Sequence, residues 1–197
     1  MLFIDFLTLL LVNMAAGFAL LAHFVFRGLD REDQRAWVPG FAMVGAIAVI
    51  FGGYQTLCWP LPGQFNTAFG EMSVLLGTVF LGAALALGLG RGLGAVTLYA
   101  FFAGLAAMVV GVSIYVQHLT ASPLVTAAGF LLSGLAGVCS GPTLLLGRRH
   151  RLFRVAITAV LLGIALLWMA VAYPAYWGHM SHFGKWEPVI HQMLPPG

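Results

Sequence analysis

The feature that most restricts this chain is a series of long apolar stretches with charge confined almost entirely to the gaps between them. The stretches cover residues 2–26, 38–58, 68–90, 95–117, 124–146 and 153–173. Each is close to the roughly 20 residues that carry a helix across a bilayer. Backbone groups in lipid must be satisfied within the segment, and the alternating pattern of a barrel strand is absent, so these stretches read as helices. The expected fold is an all-α integral membrane protein, a six-transmembrane-helix bundle over residues 1–178 followed by a tail at 179–197.

The composition agrees. Hydrophobic residues make up 61% of the chain and charged residues 8%, against about 25% charged in a soluble domain. Mean hydropathy is +0.98 and the pI is near 9.2. The nine basic residues form no stripe interleaved with polar groups, so no nucleic-acid partner is expected. The lipid bilayer is the expected surrounding, with other membrane subunits or further copies of the chain as protein partners.

Charge placement orients the spans. Arg27, Arg31 and Arg35 lie in the first connection, Arg91 in the third, and Arg148, Arg149, Arg151 and Arg154 around the fifth. These odd connections share one side, which the excess of basic residues marks as cytoplasmic. Lys185, the remaining basic residue, lies in the tail. Both termini are therefore expected on the outer, extracytoplasmic side. No signal peptide is expected, because Arg27 follows the first apolar stretch instead of preceding it.

Glycines recur with a long period. Gly17, Gly77 and Gly137 fall in odd spans, and Gly45, Gly104 and Gly163 in even ones. Asn13, Ser73 and Ser133 precede the first set by four residues, the small-xxx-small spacing that lets helices approach closely in lipid. Three repeated helical hairpins would produce this spacing. So would chance, in a chain with 25 glycines.

Ionisable residues inside spans mark candidate function. On the expected topology Asp5, Glu71, His118, His179 and His182 all fall near the outer face, with Gln55, Asn66, Tyr115 and Gln117 at a similar level. Imidazole suits copper, iron and zinc, and a carboxylate can complete the shell. Met180 between the two tail histidines, and His191 and Met193 further on, lean the set toward copper. A pair of imidazoles, one of them His118, could instead hold a haem. The competing reading is structural. Interfacial His, Tyr and Trp anchor helix ends, and Asp5 and Glu71 gain from helix N-termini. No catalytic residue set is present: there is no CxxC, phosphate loop, Ser–His–Asp series or HExxH.

Three further segments stand out. "CWPLPGQFNTAFGE", residues 58–71, is a long loop in which Pro60 and Pro62 stop the second span. Pro174 is expected to end or kink the sixth span. "GRRHR", residues 147–151, reads as a topology signal with contact to anionic lipid available to it.

The strings "FIDFLTLLLVNMAAG", "WPLPGQFNTAFGEMSVLLG", "YAFFAGLAAMVVG" and "AYWGHMSHFGKW" resemble those of a bacterial and archaeal family of membrane proteins known as a domain of unknown function. The resemblance runs over about residues 2–188. It implies a multi-span fold in a bacterial or archaeal cytoplasmic membrane, and no activity or ligand.

The residues support three function classes. The first is a metal-binding (copper-leaning) or haem-binding protein of membrane redox chemistry, with Glu71, His118, His179 and His182 as ligands and Asp5 as a ligand or its support. The second is a non-catalytic accessory subunit of a respiratory or copper-dependent oxidase. The third is a small-solute transporter, disfavoured because no charge pair lies at mid-span.

Overall fold

The structure is a computed structural model and describes residues 6–61 and 63–181. Among the described residues every regular element is helical: α1 (Phe6–Arg27), α2 (Val38–Cys58), α3 (Met72–Gly88), α4 (Gly94–Gln117), α5 (Pro123–Val138), α6 (Ser140–Arg149) and α7 (Arg151–Ser181). A 3-10 turn, Arg35–Trp37, leads into α2, and a π-helical segment, Asn66–Glu71, leads into α3. Five of the helices are long and apolar enough to cross a membrane, and α5 with α6 makes a sixth span if the bent pair counts as one.

Two expected spans come out differently. Residues 124–146 do not form one continuous helix: α5 and α6 meet at Cys139 with a bend of 62°. Pro142 explains the break. It has no N–H for the carbonyl of Val138, and its ring crowds that carbonyl. The sixth span does not stop at residue 173. α7 continues through Pro174 to Ser181, so His179 stands on a helix and not in a tail. Its 31 residues span roughly 46 Å at about 1.5 Å each. That exceeds the ~30 Å hydrocarbon core of a bilayer, so its last turns reach beyond that core.

Helix partners are set by small residues. The closest pairs are α2 with α3, α4 with α5, and α1 with α7. A Cβ on Gly45 would meet the Gly77 carbonyl at 2.9 Å, and one on Gly104 would meet the Gly134 carbonyl at 2.5 Å. A Cβ on Gly137 would in turn lie 3.1 Å from the Gly104 Cα. The backbones of α2 and α3, and of α4 and α5, thus touch directly, as small residues permit in lipid. The glycine periodicity therefore marks these two interfaces, each between an even span and the odd span after it. It fails at the third: Gly163 faces open space, and Gly17 meets the side chains of Val44 and Phe80.

Buried polar groups add specific ties. Asn13 Nδ2 donates to the Val44 carbonyl at 2.9 Å, joining α1 to α2. Trp168, fully buried on α7, donates its indole N–H to Ser133 Oγ of α5 at 3.0 Å. A string of edge-to-face rings, Phe24, Phe41 and Phe80, links α1, α2 and α3. A second, Phe69, Phe130 and Trp168, runs from the π segment to α5 and α7. The three close pairs are joined to one another by lighter contacts, α1 to α2, α3 to α4, and α5 and α6 to α7.

Candidate functional site

One end of the bundle carries the described members of the expected ligand set. His179 Nδ1 lies 3.2 Å from Thr8 Oγ1, tying the last turn of α7 to the first turns of α1. Thr8 is almost wholly buried. Glu71 closes the π segment and is half-buried. His118 is exposed and has a left-handed backbone, φ 51 and ψ 43, at the C-terminus of α4. The next amide, Leu119 N–H, reaches back to the Ile114 carbonyl at 3.2 Å. His118 thus occupies the helix-ending position usually taken by glycine.

These residues do not make a metal centre by themselves. Among the described residues, no three His, Cys, Asp or Glu side chains form a group able to hold a metal ion. Asp5 and His182, the other two expected ligands, lie outside the described residues, as do His191 and Met193. Sequence reasoning did not single out Thr8, since a lone hydroxyl in an apolar helix carries no pattern. Its place one turn after Asp5 was the available signal.

The loop between α2 and α3 is folded back on itself at this same end. Asn66, fully buried, accepts from the Leu61 N–H at 3.1 Å and donates to the Leu61 and Gly63 carbonyls. Gln55, also fully buried, donates to the Phe65 carbonyl at 3.0 Å, and its Oε1 has no partner among the described residues. A Cβ on Gly70 would meet Gln55 Cγ at 3.1 Å and Thr56 Oγ1 at 3.0 Å. The π turn is packed hard against the end of α2. Such turns are rare and concentrate at functional sites.

Another feature lies where the helix pairs meet. A cavity of about 320 Å³ runs among α1, α3, α4, α5, α6 and α7, with Phe18, Phe80, Ala103, Phe130 and Leu161 on its walls. Two of its few polar neighbours are engaged. Ser133 accepts the Trp168 N–H, and Ser140 Oγ donates to the Thr97 carbonyl at 3.4 Å. Three lining residues, Leu132, Leu135 and Val160, are 38%, 46% and 49% exposed, and the cavity is partly open. Its rim is apolar and would meet lipid if these helices span. Cys139 lines it at the α5–α6 break and is a free thiol, as is the exposed Cys58.

An apolar cavity of this kind does not attract water. Its size falls at the lower end of the roughly 300–1,000 Å³ typical of small-molecule sites. The lining is almost wholly apolar and offers mainly dispersion contact, so the ligand chemistry it suits is hydrocarbon.

No curated protein and no solved structure matches the chain. A family model described as a protein of unknown function, DUF981, matches residues 1–182, and the chain belongs to that family.

Proposed function

We propose that this protein holds the hydrocarbon chain of a membrane lipid, or of another chain-bearing membrane molecule, in the apolar cavity where its helix pairs meet. The observation that carries this reading is a partly open apolar cavity of about 320 Å³ whose rim would meet lipid if these helices span. Chain entry from the bilayer then needs no aqueous step. The proposal includes the topology in which it works: six spans in a bacterial or archaeal cytoplasmic membrane, α5 with α6 counted as one, with both termini extracytoplasmic. The gathering of arginines from three connections supports that orientation.

The test is lipid retention. Purified protein, washed through delipidating detergent and measured by native mass spectrometry, should keep about one chain-bearing molecule per polypeptide, as a site of this size would. Ala103→Phe and Ala136→Phe fill the cavity from α4 and α5. Either should remove the bound molecule while the protein stays folded. Unchanged retention in both folded variants would refute the reading.

A further inference from the structure

A second, polar cavity adjoins the first at the arginine-bearing end. It encloses about 800 Å³ and is lined by Leu29–Arg35 of the α1–α2 connection, by Gly90, Arg91 and Gly92 of the α3–α4 connection, and by Arg148 of α6. Four guanidinium groups line it: Arg31, Arg35, Arg91 and Arg148. Asp30 is ion-paired with Arg154 of α7. The remaining carboxylates are Glu32 and Asp33, and Asp33 Oδ1 already accepts the Arg35 backbone N–H at 2.9 Å. Four arginines against three carboxylates leave the lining positive by one charge.

The walls are built firmly. Gly90 takes φ 64, and the Arg91 N–H closes onto the Ala86 carbonyl at 2.8 Å, fixing where the Arg91 side chain starts. Gln34 Nε2 donates to the Gly28 carbonyl at 2.8 Å, capping the end of α1. A Cβ on Gly147 would meet Leu29 Cδ1 at 3.0 Å, so α6 lies close against the first connection. Leu29 and Leu87, on the floor of this cavity, are 2% and 3% exposed.

The two linings have no residue in common but come close along three segments. Val25 and Leu93 line the apolar cavity, one turn or less along the chain from Leu29 and Arg91 of the polar one. On α6, Leu144 lines the first and Arg148 the second, one turn apart. One turn of helix is about 5.4 Å. A single amphiphile can therefore occupy both, its chain above and its anionic group below.

We propose that the ligand is an anionic phospholipid-type amphiphile whose phosphate is held by Arg31, Arg35, Arg91 and Arg148 while its chain fills the apolar cavity. This rests on the chain-binding reading above and adds the headgroup class to it. Guanidinium forks match phosphate geometry in two-point contacts. Basic pockets between membrane helices are suited to such headgroups.

The experiment uses the full chain in detergent, titrated with three probes: an anionic phospholipid, a phosphate-free diacylglycerol with the same chains, and inorganic phosphate. The anionic lipid should bind about tenfold or more tightly than the diacylglycerol, the scale of one or two charge-assisted hydrogen bonds. Arg91→Gln with Arg148→Gln should erase that preference and leave diacylglycerol binding intact. Arg149→Gln with Arg151→Gln removes the same charge outside the cavity lining and should keep the preference. If both lipids bind wild type equally, or both double variants lose the preference alike, the headgroup site is refuted and chain binding stands. Full binding of inorganic phosphate alone would make this a free-anion site and overturn the amphiphile. Binding of neither lipid would overturn both proposals.

Discussion

His118 holds a left-handed conformation that L-residues adopt at a cost of roughly 1–2 kcal/mol, though histidine accepts it better than most. The structure gives a reason for the cost: that turn lets Leu119 fold back toward the end of α4 and pack on the core. His118→Gly should therefore raise stability by about 0.5–1 kcal/mol, read as a higher midpoint in thermal unfolding in detergent. A ligating His118 would give the reverse, with loss of bound metal and of stability. The imidazole was conspicuous in sequence because its chemistry is written in the residue type. The backbone angle that gives it a structural role is not. Gln55 and Asn66 show the same limit: their polarity in an apolar chain was legible, but their carbonyl partners are set by how the loop folds back.

At the level of elements, length was legible and partnership was not. Hydropathy marked α1 to α4 to within a few residues, because crossing lipid demands length and apolarity together. It could not choose neighbours, since the side of a membrane helix that meets lipid is as apolar as the side that meets protein. The glycines carried part of that information. Gly104→Ala should destabilise the α4–α5 pair by about 1–3 kcal/mol, the usual cost of overpacking, because its Cβ would strike the Gly134 carbonyl. Gly163→Ala, in open space on α7, should be neutral or stabilise by up to about 1 kcal/mol. Thermal unfolding of the two variants side by side checks both. The α5–α6 break was present in the sequence as Ser140–Gly141–Pro142 and was masked by the apolar residues on both sides of it.

For the whole molecule, the one-sided arginines foretold a charged end, and the polar cavity gathers four of them there. The apolar cavity was not legible, because it arises where separate helix pairs meet, and no local pattern records a gap. Its character makes a prediction for the two thiols. Exposed Cys58 should react with both water-soluble and lipid-soluble maleimides. Cys139, on the wall of an apolar cavity, should react at least about tenfold faster with the lipid-soluble reagent, since a charged reagent pays several kcal/mol to enter such surroundings. Mass spectrometry of labelled peptides measures both rates. Equal rates at Cys139 would show that water reaches the cavity.

The pairing of α1 with α7 has a consequence for how the protein is made. The ribosome delivers α1 first and α7 last, so the first helix has no main partner until nearly the whole chain has been synthesised. α2 with α3 and α4 with α5 are neighbours in time as well as in space, and can pair as they emerge. Closure of the bundle is thus a late, long-range event. A nascent chain halted after Arg149 should hold two finished hairpins and an α1 held mainly to α2, through Asn13 and Phe24. In a cell the face of α1 that awaits α7 is the surface that quality control would meet first.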